Sequence, residues 1–408
     1  MTATSDVQSP GSGTVYDPAT GAIAGTVSWT DPADVPRIAA GLRAAQREWE
    51  ARGPQGRAKV LARFAVWLND HRDEVEALLI RETGKSTVDA KVEIPLVILI
   101  ISYVVKTMEK ALAPDTRPAP MPMLSIKKIT VHYRPRPVVG IIAPWNYPVA
   151  NALMDAIGAL AAGCSVLLKP SERTPLTAEL LLRGWTDSGA PEVLALAQGA
   201  REVSEAVIDN SDFVQFTGST ATGRAVMVAA SHTIKKVFLE LGGKSAYIVL
   251  DDADLPAACA AAAAGVAMHA GQGCAFTTRL LVPRARYDEA VAAAATAMSG
   301  IGFGDPTEPA TLCGPLISAR QRDRVEGYLR LAVEEGGRFA CGGVRPADRT
   351  RGFFIEPTVI AGLTNDARVA REEIFGPVLT VIAHDGDDDA VRIANDSPYG
   401  LSGAVFGT

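Results

Sequence analysis

Histidine and cysteine are both scarce in this chain of 408 residues, five of each. The histidines fall singly, with no HxxxH or similar ligand pair, and the cysteines (Cys164, Cys259, Cys274, Cys313, Cys341) form no CxxC, so no metal site is expected. An odd number of cysteines with no paired spacing also argues against a disulfide framework. Long apolar runs are missing too. The most membrane-like stretch, Ile94 to Val105, has twelve residues where a bilayer span needs roughly 20, and it reads as a buried core helix. The first thirteen residues are polar, with neither a basic nor an apolar segment, and read as a frayed tail rather than a signal peptide. There is no excess of positive charge: 40 Lys and Arg face 46 Asp and Glu, a net charge of −6, which disfavours a phosphate-backbone partner. Internal repeats are absent, as are low-complexity tracts beyond an alanine-rich helix. These absences leave the expectation of a cytoplasmic protein with no nucleic-acid and no membrane partner.

What is present is a composition 48% hydrophobic, enough for a large core in two or three domains. Residues 14–30 read as an extended hairpin around "PATG". Three helices should follow: one from the cap-and-proline signal Asp31-Pro32 to Gly53-Pro54, one with Val60, Leu61, Phe64 and Leu68 on a single face, and one from about Asp73 to Gly84. A proline-rich connector spans Leu112 to Met123. Beyond it Ile126, Ile129, Val131 and Tyr133 suggest a strand whose flanking prolines fit a protruding β-arm better than a central strand. From Val138 the apolar runs "VVGIIA", "SVLLK", "VLALAQ", "FVQFT" and "KVFLEL" alternate with helical segments, the pattern of a doubly wound parallel sheet. After Gly242 a second α/β unit begins with "SAYIVL", an alanine-rich helix from Leu255 to His269, a glycine-flanked turn at Cys274, and "RLLVP".

Ligands of parallel sheets gather at the carboxyl ends of the strands, so the residues there are the candidates. "APWNYP" (Ala143 to Pro148) stiffens Asn146 between prolines. Its carboxamide could donate to a developing oxyanion, or simply close a turn. "LLKPSERTP" offers Lys169 and Glu172, either as partners for ribose hydroxyls or as a surface ion pair. "FTGSTATGR" leads into a helix whose N-terminus could hold a phosphate, although capping by Ser219 or Thr220 explains it equally and no GxGxxG follows any strand. "LELGGK" places Glu240 at an apolar strand end, where burial would make a usable base. "REEIFGPVL" sets Glu373 and Phe375 before a Gly-Pro turn. Cys274, in "GQGCAF", is either a reachable nucleophile or one more packed thiol.

Taken in order, "PWNYP", "KPSE", "FTGSTATG", "ELGGK", "GQGC" and "EEIFGP" resemble the NAD(P)-dependent aldehyde dehydrogenase superfamily, as does the separation of 34 residues between Glu240 and Cys274. The resemblance runs from about Val15 to the last residue. It implies an α/β fold: a Rossmann-type parallel-sheet NAD-binding domain (residues 1–112 and 137–242), a β-arm for oligomerisation (113–136) and a second α/β catalytic domain (243–408). It makes Cys274 the nucleophile, Asn146 an oxyanion donor together with the Cys274 N–H, and Glu240 the general base. Lys169 and Glu172 would hold the adenosine ribose, Ser219 the pyrophosphate, and Glu373 and Phe375 the nicotinamide ribose and ring, with Ser171 also among the cofactor-binding residues. Ala143, Pro144, Trp145, Phe216, Thr217, Gly218, Leu241 and Gly242 would line the same cleft. The implied reaction oxidises an aldehyde or semialdehyde to its acid through a thiohemiacetal and a thioester.

Two residues refine that expectation. Glu240 favours hydrolysis over acyl transfer to coenzyme A, and Glu172 favours NAD over NADP because a carboxylate there repels a 2′-phosphate. The thiolate would be favoured by a helix N-terminus or by the cationic nicotinamide. The resemblance also implies segments like "GTVNVN" and "PFGGxKxSGxGRE", and a C-terminal strand for a homodimer or tetramer, beyond the last residue. The alternative reading is therefore a shortened, catalytically impaired chain that binds dinucleotide or a partner subunit. A redox-sensing thiol is disfavoured, since no resolving cysteine lies near Cys274 in sequence.

Overall fold

The computed structural model describes residues 11–118, 121 and 127–408. An antiparallel hairpin opens it, β1 (Ser12–Tyr16) with β2 (Ile23–Ser28). Asp31 accepts from the Ala33 N–H at 2.9 Å and starts a 3₁₀ turn that runs into α1 (Val35–Ala51), whose Val35, Ala39, Leu42, Gln46 and Trp49 form one buried stripe. In α2 (Gly53–Asp70) the buried face is Val60, Leu61, Phe64, Trp67 and Leu68. α3 (Arg72–Thr83) stops at Gly84, whose φ of 71° is the left-handed cap glycine accepts without strain.

α4 (Thr87–Leu112) carries the apolar run and corrects the reading of it as a wholly buried helix. Ile94, Val97 and Ile101 are buried, but Val88, Val92, Leu96, Leu99 and Tyr103 form an exposed stripe on the other side. Among the described residues no helix is long and apolar enough to cross a membrane. The connector after α4 is not all coil: β3 (Asp115–Arg117) pairs antiparallel with β4 (Ile129–Val131) as an exposed to half-exposed two-stranded ribbon. Ile126, assigned to this strand from the sequence, lies outside the described residues, and Tyr133 falls beyond the strand's end.

The five apolar runs form one parallel sheet, β5 (Val138–Ile142), β6 (Ser165–Lys169), β7 (Leu194–Leu196), β8 (Phe213–Thr217) and β9 (Lys236–Glu240), in the order β7-β6-β5-β8-β9. The crossover helices are α5 (Ala150–Ala162), α6 (Pro175–Asp187), α7 (Arg201–Asn210) and α8 (Thr220–Ser231). One apolar core packs α2, α4, α5 and α6 against one face of the sheet, and another packs α1, α7 and α8 against the opposite face. Covering both faces lets β5 and β6 be buried at every residue, which is why they read as unbroken apolar runs.

A second sheet has the order β12-β13-β14-β11-β10-β15. Its strands are β10 (Ala246–Val249), β11 (Arg279–Pro283), β12 (Arg338–Cys341), β13 (Thr358–Ala361), β14 (Val378–His384) and β15 (Gly403–Phe406), all parallel to their neighbours except the edge strand β12. Its helices are α9 (Leu255–Ala267), α10 (Tyr287–Ser299), α11 (Ala319–Glu334), the short α12 (Arg368–Arg371) and α13 (Asp387–Asn395). The alanine-rich helix ends at Ala267, two residues short of the expected His269, because the chain kinks into a 3₁₀ turn there.

Candidate active site

β5 ends at the centre of the first sheet, and the turn after it is anchored by the Ala143 N–H donating to the Lys169 carbonyl at 3.0 Å. Asn146 is 3% exposed. Its Nδ2 donates to the Gln272 carbonyl at 3.0 Å, and its Oδ1 accepts from Asn151 Nδ2 at 3.3 Å. The carboxamide is thus fixed from both ends, with a second N–H on Nδ2 still available. Its bond reaches Gln272, two positions before Cys274, and so ties Asn146 to the turn that carries the thiol.

The turn that presents Cys274 is unusual in its backbone. His269 and Ala270 adopt φ of 43° and 49°, a left-handed conformation costly for residues with a Cβ. Three contacts hold them there. The His269 N–H donates to Asp89 Oδ2 at 2.6 Å, Gln272 Nε2 donates to the His269 carbonyl at 3.0 Å, and the Ile317 N–H donates to Gln272 Oε1 at 2.9 Å. Gly271 (φ 73°) abuts Gly376 so closely that a Cβ would sit 1.9 Å from the Gly376 carbonyl oxygen. Across from it Phe375 also has a left-handed φ of 62°, and its carbonyl accepts from Gln321 Nε2 at 2.7 Å.

Cys274 and Cys341 are half-buried, whereas Cys164, Cys259 and Cys313 are buried. Burial drives the thiols of Cys164 and Cys259 up to about 11. The Cys274 thiol is also raised, by burial first and then by the negative charges of Glu240 and Glu373, against which the N–H groups of Cys274 and Ala275 pull it down. Two of the chain's own N–H groups thus favour the thiolate while burial and two carboxylates oppose it. Glu240 closes β9 opposite Thr217, and its carbonyl accepts from the Gly218 N–H at 3.0 Å. Glu373 is raised by burial and held by the Gly243 N–H at 3.2 Å.

The remaining candidates line the strand ends. Lys169 is 4% exposed and ion-paired with the more open Glu172 at 3.5 Å, its ammonium depressed by burial. Ser171 is buried and accepts from the Arg173 N–H at 3.2 Å. Ser219 caps α8, accepting from the Thr222 N–H at 3.3 Å, so its capping role is present whatever else it binds. A Cβ on Gly218 would strike the buried Phe216 ring, one on Gly223 the Leu241 side chain, and one on Gly242 the Glu373 carboxylate at 2.4 Å. Trp145 meets Phe375 edge-on with ring centroids 5.4 Å apart. A hollow of about 290 Å³ flanks this region, lined in part by Lys244, Ser245, Tyr399 and Leu401. Lys244 is buried there with no hydrogen-bond partner among the described residues, and its ammonium is pushed down to about 7 by burial. Among the described residues no cluster of His, Cys, Asp or Glu could hold a metal ion.

Several supporting residues escape sequence reasoning. Glu93 and Lys85 form an ion pair with both side chains fully buried. Glu93 Oε2 also accepts from the Val149 and Ala150 N–H groups, at 3.0 and 2.8 Å, and so caps α5 from a distant helix. Lys85 Nζ lies 4.0 Å from the centroid of the Tyr147 ring, next to Asn146. Glu82 caps α6 in the same way, through the Leu176 and Thr177 N–H groups. The available signal was a cluster of charges in "ETGKSTVDAKVEI", too polar for an ordinary buried segment.

The profile described as "Aldehyde dehydrogenase family" matches residues 6–408. A geranial dehydrogenase of Castellaniella defragrans is 38% identical over 400 residues, which is 97% of this chain and 82% of that protein. A betaine aldehyde dehydrogenase of Bacillus subtilis is 37% identical over 376 residues, 90% of this chain and 76% of that one. Among solved structures, an aldehyde dehydrogenase of Mycobacterium tuberculosis complexed with NAD+ superposes with a TM-score of 0.94 at 41% identity, over 98% of this chain and 83% of that one.

Proposed function

Because the chain belongs to the aldehyde dehydrogenase family, we propose that it oxidises an aldehyde to the carboxylic acid with NAD+ through a thioester on Cys274. The observation that carries this reading is the meeting of three groups. Asn146 is tethered two residues from Cys274, Cys274 is a half-buried thiol at a glycine-flanked turn, and Glu240 lies within electrostatic reach of its sulfur. In this reading the Cys274 thiolate attacks the aldehyde carbon, and the free Nδ2 hydrogen of Asn146 and the Cys274 N–H stabilise the oxyanion. Glu240 then removes a proton from the water that hydrolyses the thioester.

In the same reading the strand ends hold the dinucleotide. Lys169 and Glu172 would hold the adenosine ribose, with Ser171 beside them and the α8 N-terminus at Ser219 facing the pyrophosphate. Glu373 and Phe375 would meet the nicotinamide riboside, where Gly242 leaves the room that a Cβ would fill. When bound, NAD+ accepts the hydride and brings the positive charge that the two carboxylates around Cys274 call for. Glu172 makes NAD the preferred cofactor over NADP. Residues 1–112 and 137–242 serve as the cofactor domain, 243–408 as the catalytic domain, and the ribbon within 113–136 as an oligomerisation arm.

A panel of terpenoid, quaternary-ammonium and straight-chain aldehydes, assayed for NADH with either cofactor, tests the reading. Cys274→Ala is expected to abolish NADH formation while NAD+ affinity, measured by calorimetry, stays within about threefold. Retained activity in that variant would remove Cys274 from the mechanism. NAD+ binding without turnover of any aldehyde by the unaltered chain would favour a binding protein instead.

A further inference from the structure

His269 belongs to two turns at once. Its main chain lies five residues before Cys274, in the turn that carries the thiol, where Asp89 and Gln272 hold it in the left-handed conformation. Its ring packs instead against the two aromatic residues that flank Asn146. The imidazole centroid lies 6.4 Å from that of Trp145 and 5.6 Å from that of Tyr147, and both contacts are edge-on, at 67° and 68°. Each neighbour has a second partner: Phe375 meets Trp145 at 5.4 Å, and Lys85 Nζ lies 4.0 Å from the centre of the Tyr147 ring. His269 is fully buried, and neither ring nitrogen makes a hydrogen bond of ordinary geometry among the described residues. Burial, and then the charge of Lys85, hold it well below the usual imidazole range, against an upward pull from the Asn146 main chain. It is therefore a neutral ring, and the site uses its shape. Unpaired buried nitrogens and a left-handed backbone both cost free energy, and such costs gather at functional sites.

We propose that His269 is a positioning residue for the oxyanion site, its ring fixing the Asn146 turn against the Cys274 turn so that both N–H donors address one oxygen. This deepens the function proposed above and rests on its assignment of Cys274 and Asn146. An oxyanion needs the Asn146 Nδ2 hydrogen and the Cys274 N–H aimed at the same point, with each nitrogen about 2.7–3.1 Å away. The two donors come from separate sheets, one from the turn after β5 and the other from the turn before β11. The hydrogen bond from Asn146 to the Gln272 carbonyl sets one distance between those turns and leaves them free to pivot about it. Ring contacts with the residues on both sides of Asn146 block that pivot. Asp89 pins the His269 N–H and Gln272 its carbonyl, so the ring cannot follow the Asn146 turn if that turn shifts.

Two reactions of the same thiol separate positioning from general damage. p-Nitrophenyl acetate acylates Cys274 without cofactor: sulfur bonds to the carbonyl carbon, the oxygen takes the negative charge, and p-nitrophenolate leaves as the carbonyl re-forms. Iodoacetamide alkylates the same sulfur by displacing iodide from a saturated carbon, and no oxyanion forms. His269→Ala should slow acylation, followed by mass at Cys274, by about 30-fold, less than the roughly 100- to 1,000-fold cost of losing an oxyanion donor outright. Its alkylation rate at the same pH should stay within about threefold, because that rate follows the thiolate and not the oxyanion donors. His269→Phe, which keeps a neutral ring, should recover acylation to within about threefold of the unaltered protein. Should His269→Ala fail to fold, His269→Leu takes its place with the same expectations. Acylation unchanged by loss of the ring overturns the proposal. So does an equal loss of alkylation, which would mean a general disturbance of the turn, and so does a His269→Phe protein that alkylates normally but acylates slowly. If Cys274 takes no acyl group even in the unaltered protein, the proposed function falls and this inference with it. Equal acylation in all the proteins removes only His269.

Discussion

Gly243 offers a perturbation whose size can be worked from distances. Its φ lies outside the left-handed region, so alanine is conformationally acceptable and any penalty is steric. The added methyl would lie 2.5 Å from the Cys274 carbonyl oxygen, about 0.9 Å short of the 3.4 Å at which ordinary contact begins. The obstacle is backbone, and the turn behind it is held by Gln272 and by Gly271 against Gly376, so a side-chain rotation cannot relieve it. Either Gly243 moves and stretches its bond to Glu373, or the Cys274 turn moves away from Asn146. Overpacking of this kind costs roughly 1–3 kcal/mol of stability. A displacement near 1 Å at the reacting atom costs on the order of 100-fold in rate. Gly243→Ala should therefore lose about 100-fold in kcat for aldehyde oxidation, followed as NADH, while unfolding cooperatively at a modestly lower temperature. A variant with kcat within threefold of the parent and unchanged Tm would refute the claim that this contact sets the position of the nucleophile.

Two other perturbations follow from the charges. Glu240→Gln removes a negative charge that raises the Cys274 thiol, so alkylation by iodoacetamide should shift to lower pH, with a larger thiolate fraction at pH 7.5. The same variant should form the acyl-enzyme once and then stall; a higher alkylation midpoint, or full steady-state turnover, would contradict the assignment. Glu93→Leu leaves Lys85 buried without its partner and uncaps the Val149 and Ala150 N–H groups, for an expected loss of about 3–5 kcal/mol in urea unfolding. A loss below about 1 kcal/mol would show that the pair is not needed to hold α5.

The parallel sheet was legible because its strands are buried on both faces, which writes them as unbroken apolar runs such as Val138–Ile142 and Ser165–Lys169. The positions of the candidate residues at the strand ends follow from the same runs, since each run fixes where its strand stops, as Lys169 and Glu240 show. α4 misled because hydrophobicity alone does not say which face is covered, and Leu99 and Tyr103 are exposed although they sit in the same run as Ile101. Glu93 was invisible for a different reason. Its partners, the α5 N–H groups from Val149 on, lie 56 positions away along the chain and become neighbours only after folding. The left-handed His269 and Ala270 could not be anticipated either, because neither residue type announces that conformation and tertiary contacts impose it.

Gly271 and Gly376 touch through main chain alone, with no side chain between the turn that carries Cys274 and the turn that carries Phe375. Packed side chains yield by changing rotamer, but two peptide groups in contact have no such slack. Pressure on the Phe375 turn therefore arrives at the sulfur as displacement rather than being absorbed on the way. The two halves of the cleft behave like meshed teeth, and whatever seats against one turn sets the reach of the other.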